Sequence, residues 1–366
     1  MRFPNLHLHT YFSDGALSPA ALFNQVLAHP DVSHFSINDH DTLSGIEPML
    51  RAVETARASG AFVPHFIPGV ELSLEEPTTG LYVHVLGYFP WINSGNARRE
   101  LPRLDAALGD YCRKQCEMRG RLDIDGRLEY IWRENLDDVR SQYPSFEPIR
   151  GFLYARETER IGRQTQESAK PGDIIQHPIP MTYQCLTEYW QALIPNSLSE
   201  IMMLYIVRQE KPKIDRLTEL LNLTGRSDAR AIAEKYQGAL SLERYPGAEY
   251  ASIFEGLEMI HSAGGIAVLA HPAVACKRFS YAEYDAIVTR PLIDAGLDGI
   301  EVWYPYNKSF RDEAVEHYSS LAESNRLLST GGTDYHGDGR SRIDDMVPPV
   351  SAAERLLEKG SRSPNL

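Results

Sequence analysis

The sequence predicts an α/β fold, a barrel of seven strand–helix repeats interrupted by an inserted, mainly helical subdomain. Three observations lead there: short apolar runs recur at the spacing of strands, helical patterns lie between them, and the alternation lapses between about residues 92 and 250 before resuming. The strand runs are Phe3–Leu8, Phe35–Asn38, Phe66–Glu71, Tyr82–Tyr88, Gly265–Ala270, Gly299–Trp303 and Leu327–Gly331. The first helix is opened by Ser18 as N-cap with Pro19 behind it, and carries Leu22, Phe23, Val26 and Leu27 at helical spacing. A second, Ile46–Ala58, runs to Gly60, a residue suited to a C-terminal cap. Strands alternating with helices favour a parallel sheet, and about seven repeats favour closure into a barrel over an open sheet. The barrel domain is read as residues 1–91 and 251–366, and the insertion as 92–250.

Inside the insertion, Pro144, Pro148, Pro171, Pro178 and Pro180 punctuate charged and amphipathic stretches. Leu101–Leu122 and Ile214–Leu223 read as helix and Glu167–Pro180 as loop. No internal repeat or low-complexity tract is visible, and residues after Gly360 read as a frayed tail.

Composition narrows the function classes. A chain of 366 residues with 43% hydrophobic content is long enough to bury a sizeable core. No apolar run reaches the roughly 20 residues of a membrane span, and MRFPNLHLHT has none of the layout of a secretory signal, so a cytoplasmic protein is expected. The four cysteines, Cys112, Cys116, Cys185 and Cys276, show no C-x-x-C pairing and are expected as free thiols, with Cys112 and Cys116 in a packing seam. A net charge of −13 argues against an extended duplex as partner. A phosphorylated ligand would need a local attraction, which bound divalent ions supply.

His7 and His9 are separated by one residue in the opening strand, so alternation puts both imidazoles on one face, where they can chelate an ion, with Leu6 and Leu8 on the other. Asp14 follows in Ser13-Asp14-Gly15, His40 in Asn38-Asp39-His40-Asp41-Thr42, and Glu71 closes Gly69-Val70-Glu71. His84 lies in the fourth run, His271 in Leu269-Ala270-His271-Pro272 after the fifth, and Asp334 and His336 in Gly331-Gly332-Thr333-Asp334-Tyr335-His336-Gly337 after the seventh. Nearly all stand at or just past a strand end, and in a barrel such ends converge on one mouth, where active sites of this architecture are built. His84 fits least well, because its strand continues to Tyr88. A lone histidine near a strand end is commonly structural, but nine acids and imidazoles converging without a counter-charge would be costly to bury, and cations resolve that cost.

In order and in motif, these segments resemble the polymerase-and-histidinol-phosphatase (PHP) family over about residues 1–90 and 250–340. The resemblance implies a distorted seven-stranded barrel holding two or three divalent ions, manganese, zinc or iron. It implies one ion on His7, His9, Glu71 and Asp334, a second on Glu71, His84 and His271, and a third on Asp14, His40 and His336, with Glu71 bridging. Three dications against three carboxylates leave roughly +3, which suits a phosphate dianion. Asp14, where histidinol phosphatases tend to carry histidine, makes the chain similar to members acting on nucleotide or RNA-end phosphates. Asn38, at a position usually Thr, and the long insertion depart from those members.

The expected activity is hydrolysis of a phosphate monoester on a small phosphorylated substrate, with a nucleotide or short oligonucleotide end left open. The nucleophile is a metal-bound hydroxide, because coordination lowers the pKa of water to about 7, and no side-chain nucleophile is predicted. The chain lacks a phosphate-binding GxxxxGK[ST] loop and a Gly-x-Ser-x-Gly elbow. Arg113, Arg119 and Arg121, in a stretch resembling the arginine-bearing helix of nucleotide-directed relatives, are candidates for phosphate, against the plainer reading of a solvated face. His177, Tyr304 and Tyr306 are weaker candidates, read first as structural or packing residues. Two rivals stand beside this reading: metal-dependent hydrolysis of a C–N or ester bond on a similar barrel, and a metal-stabilised module without turnover. The sequence leaves the oligomeric state open.

Overall fold

The structure, a computed structural model, describes residues 2–10, 12, 13, 15–60, 62–121, 250–277, 279–337, 339 and 341–361. The chain divides into two compact units, Met1–Leu74 with Val83–Gln115 and Ala251–Leu366, and Glu75–Tyr82 with Cys116–Tyr250. In the second unit the described turn is built on Glu76, whose carboxylate accepts from the amide nitrogens of Thr78 and Thr79. The expected helix Ile214–Leu223, the loop Glu167–Pro180 and His177 lie outside the described residues.

The first unit is the barrel. Its strands are β1 (Phe3–Leu8), β2 (Val32–Ile37), β3 (His65–Glu75), β4 (Tyr82–Tyr88), β5 (Ile266–Leu269), β6 (Gly299–Trp303) and β7 (Leu328–Gly331), adjacent in that order in one seven-stranded sheet. The pairs β1–β2, β2–β3, β5–β6 and β6–β7 are parallel, whereas β4 runs antiparallel to β5. The all-parallel sheet expected from the alternation is corrected at this strand. Only residues 76–81 separate β3 from β4, too few for the dozen or more that a crossover requires, so the chain turns back instead.

Between strands lie α1 (Pro19–Leu27), α2 (Ile46–Ala58), α3 (Ala97–Arg121) and α4 (Ile253–Ser262), then a helical run α5 from Tyr281 to Asp294 with a π turn at Asp285–Thr289, then α6 (Arg311–Ser324) and α7 (Ser351–Ser361). Ser18 caps α1 by accepting from the Ala21 nitrogen at 3.2 Å, and Leu22, Phe23 and Val26 form its buried face. α4 opens on a reciprocal capping box between Ser252 and Glu255 and buries Ile253, Leu257 and Ile260. α2 passes through Ser59 to Gly60, whose φ of 79° is the left-handed geometry that ends a helix. Among the described residues no helix is long and apolar enough to cross a membrane.

One core cluster joins Leu6 of β1, Ile67 of β3, Leu86 and Tyr88 of β4, Ile266 and Val268 of β5, and Ala353 and Leu356 of α7. The Tyr88 hydroxyl donates to the Leu6 carbonyl at 2.8 Å. The barrel closes just past β7: the His9 nitrogen donates to the Tyr335 carbonyl at 2.9 Å, Leu8 and Tyr335 form a parallel bridge, and the Asn5 side chain donates to Thr333 Oγ1 at 2.7 Å. Closure by an irregular segment rather than a continuous ladder is the distortion of this barrel.

A pH effect arises on the opposite flank of β2. His34 and His65 face each other across the β2–β3 pair with rings 5.7 Å apart. Burial, then the His65 charge, holds His34 down to about 4. The unfolded chain binds that proton near pH 6.5, so His34 costs no stability above that value and progressively more as pH falls toward 4. The His34→Gln variant is therefore expected to lose less stability than wild type between pH 6.5 and 4, read from urea midpoints. Parallel pH profiles of the two proteins would refute this.

Candidate metal centre

The reversal of β4 explains the histidine that fitted least well in the sequence. In the parallel strands the mouth lies at the C-terminal end, but in β4 it lies at the start, where His84 stands; its carbonyl accepts from the Ala270 nitrogen, one residue before His271. His7 reaches the same mouth from β1 and His9 from the residue just after it, His40 from the segment after β2, Glu71 from β3, and Asp334 and His336 from the segment after β7. His271 and Asp334 adopt positive φ of 27° and 50°, a strained backbone that non-glycine residues keep only where their surroundings impose it.

Glu71 lies at the centre, fully buried. Its Oε2 is 3.0 Å from His7 Nε2, 3.3 Å from His9 Nε2 and 3.4 Å from His40 Nδ1. Its Oε1 is 3.0 Å from His84 Nδ1 and 3.1 Å from His271 Nε2. Asp334 Oδ1 lies 2.9 Å from His9 Nε2 and 3.5 Å from His7 Nε2, and 3.7 Å from His336 Nδ1. Among the described residues, three sets bring one ligand atom each to within 4.8 Å of one another: His7, His9, Glu71 and Asp334; His40, Glu71 and His84; and His9, His40 and His336. Asp14 lies outside the described residues.

The donors fit divalent cations. Two ligand atoms on one ion at about 2.0–2.2 Å are separated by roughly 3.0–3.5 Å, the spacing seen here. Electrostatics point the same way. Burial pushes the Glu71 carboxyl up, but His40, His7 and His84 outweigh it and hold the group well below the usual carboxylate range. Asp334 is likewise held well below it, by His336, His7 and His9 against burial. Burial opposes charge on His7, yet Glu301, Glu71 and Asp334 raise it well above an ordinary imidazole. A buried site whose carboxylates draw a proton onto His7 is one where a dication can take that proton's place.

Residues behind the donors hold them in position, and sequence reasoning missed two of them. Glu301, fully buried in β6, sets Oε1 3.0 Å from His7 Nδ1, while its Oε2 accepts from the His271 nitrogen at 2.9 Å. Its signal was a lone acid between Ile300 and Val302 in an apolar strand, a residue type almost never buried unless paired. Asp39 accepts from the Thr10 nitrogen at 2.6 Å, Thr10 Oγ1 at 2.7 Å and Ser13 Oγ at 2.9 Å, fixing the backbone that leads toward residue 14. Tyr304 donates its hydroxyl to Asp334 Oδ2 at 2.9 Å, and burial with the nearby acids keeps that hydroxyl protonated, well above its ordinary range. Tyr306 is a packing residue, 2% exposed, whose carbonyl accepts from Arg311. Arg113 sits on an exposed face of α3, bound by Asp105 at 3.1 Å and Asp110 at 2.5 Å. Arg119 and Arg121 fall within α3, but their side chains are outside the described part.

Fold and histidine–carboxylate cluster together define a seven-stranded α/β barrel with a candidate metal centre at its mouth. No family model matches the chain. A phosphoribosyl 1,2-cyclic phosphate 1,2-diphosphodiesterase of Eggerthella lenta is 30% identical over 144 residues, 34% of this chain and 49% of that protein. A 5'-3' exoribonuclease of Haemophilus influenzae is 28% identical over 163 residues, 44% of this chain and 53% of the relative. The chain thus spans about half the length of the curated relatives it matches. In fold it is similar to an amidohydrolase from Chromobacterium violaceum solved with bound sulfate and no metal, at a TM-score of 0.52 and 19% identity, over 98% of this chain and 96% of the other. The two curated relatives agree with the phosphoesterase resemblance carried by the motifs.

Proposed function

We propose that this chain hydrolyses phosphate esters with two or three divalent ions at the barrel mouth, on a small phosphorylated substrate such as a nucleotide or an oligonucleotide end. One observation carries the reading: the two oxygens of buried Glu71 face two different sets of imidazoles, which is the geometry of a carboxylate shared between neighbouring cations. His7, His9, Glu71 and Asp334 would hold one ion and Glu71, His84 and His271 the next, with His40 and His336 facing a third, to which Asp14 is assigned by motif alone. Ions held there supply Lewis acidity and a coordinated water of lowered pKa.

The protein's own groups prepare the site for that chemistry. Glu71 presents one oxygen to each set of imidazoles, and Tyr304 occupies Asp334 Oδ2, leaving Oδ1 toward His7 and His9. Burial of His7, His9 and Glu71 excludes solvent from the centre and strengthens every charge interaction in it. Arg113 is engaged by Asp105 and Asp110, so a substrate phosphate would compete with those two carboxylates for its guanidinium. The relatives' names, a diphosphodiesterase and an exoribonuclease, favour phosphorus over carbonyl carbon as the centre attacked.

The test is to assay protein loaded with manganese, zinc or ferrous iron against an aryl phosphate, nucleoside bisphosphates, 5′-phosphorylated oligonucleotides and histidinol phosphate. Metal-dependent release of phosphate from at least one is expected, with preference for the nucleotide members. Loaded protein inert on every phosphoester, yet active on an amide or carboxylic ester, would replace this reading with the C–N or ester hydrolase.

A further inference from the structure

We infer that Glu301 is the positioning residue that sets the tautomer of His7 and, through the same carboxylate, locks the backbone of His271, so that one side chain orients donors in two of the proposed metal groups. This rests on the hydrolase reading above. Glu301 is 0% exposed, and both of its oxygens are engaged: Oε1 with His7 Nδ1 at 3.0 Å and Oε2 with the amide of His271 at 2.9 Å. An acceptor at Nδ1 keeps a proton on that nitrogen and leaves the Nε2 lone pair for the centre, where Glu71 Oε2 and Asp334 Oδ1 lie 3.0 Å and 3.5 Å away. The second oxygen binds the amide of a residue held at φ 27°, a conformation that needs such a restraint. His7 comes from β1 and His271 from the end of β5, so Glu301 ties opposite parts of the mouth through β6.

The chemistry makes glutamine a discriminating substitute. Glu301 accepts from two donors; a glutamine of the same shape has one oxygen and one NH2 group, so it satisfies only one of them. With the oxygen on the His271 amide, its NH2 faces His7 Nδ1, drives the proton to Nε2 and removes the lone pair from the centre. With the oxygen on His7, two N–H groups oppose each other at His271.

The experiment titrates manganese and zinc into metal-stripped wild type, Glu301→Gln and Glu301→Asp, reading affinity by calorimetry and bound metal by elemental analysis, with folding followed by circular dichroism. Glu301→Gln is expected to bind 10–100-fold more weakly, in the range for loss of a residue that orients a metal-binding histidine. Glu301→Asp, which keeps the charge on a shorter arm, is expected to lie between. A purely structural role would lower the melting temperature and leave the affinity of the folded variant unchanged. Wild-type protein gives an independent readout: with zinc bound, long-range 1H–15N spectra of labelled histidine should show His7 protonated at Nδ1. Equal affinities of wild type and Glu301→Gln, or a zinc-loaded His7 without a proton on Nδ1, would overturn the inference while leaving the hydrolase reading standing. A wild type that takes up no divalent ion overturns both.

Discussion

Replacing Glu71 with glutamine is expected to abolish both divalent-ion retention and the proposed phosphoesterase activity, the latter by more than about 10³-fold, because in that reading the source of the rate enhancement leaves with the ions. Glu71 is fully buried, and its two oxygens stand 3.0–3.4 Å from nitrogens of His7, His9, His40, His84 and His271. Glutamine keeps the shape, but it removes the charge that balances a dication and turns an NH2 donor toward one set of imidazoles. The fold should survive, because the β3 backbone at this residue is held independently: its nitrogen donates to the Asp39 carbonyl and its carbonyl accepts from the Asp41 nitrogen. Elemental analysis, kcat/KM on the best substrate and circular dichroism together check the prediction. A folded Glu71→Gln that holds wild-type metal and turns over within tenfold of wild type would remove Glu71 from the centre of the site.

The contrast between Glu71 and Glu301 shows what was legible in the sequence. Glu71 was visible because it ends a strand run beside other ligand types, so position and motif both marked it. Glu301 was hidden inside an apolar run, where its fully buried state depends on His7 and His271, distant in sequence and adjacent only after the barrel closes. Strand positions followed the same logic. Phe3–Leu8 was readable to the residue, as every side chain in β1 is buried. β2 begins three residues earlier than its apolar run, because Ser33 and His34 are consecutive polar, half-buried residues that separate Val32 from Phe35, and β3 runs on to Glu75. The direction of β4 left no trace in its hydrophobic pattern, since alternation is the same read either way; the short 76–81 connection was the available clue. Arg113 of α3 is the reverse case: a motif-like pattern pointed to phosphate, whereas its guanidinium is engaged by Asp110, three residues away at a spacing that surface helices commonly use, and by Asp105 of the same helix.

Gly332→Ala is expected to cost about 1–3 kcal/mol of stability, the range for overpacking a close-packed interior, and to weaken divalent-ion binding in the same protein. Gly332 follows β7 where the barrel closes on β1; its nitrogen donates to the Trp303 carbonyl at 3.0 Å. A methyl group there would fall 2.5 Å from the His7 nitrogen and closer still to the His7 Cβ. The obstacle is backbone rather than the end of a flexible side chain, so β1 itself must move. β1 at this point is held by the Asn5–Thr333 hydrogen bonds and by the His9–Tyr335 bond, which resist the shift. What displacement occurs is passed to the His7 imidazole, which sits at 3.0 Å from both Glu301 and Glu71. Stability and metal affinity are therefore coupled at this position, and urea unfolding of stripped and loaded protein separates them: the variant should lose stability in the stripped form and gain less than wild type on loading. A Gly332→Ala protein with the wild-type urea midpoint in both forms would show that the closure of the barrel tolerates a side chain at this contact.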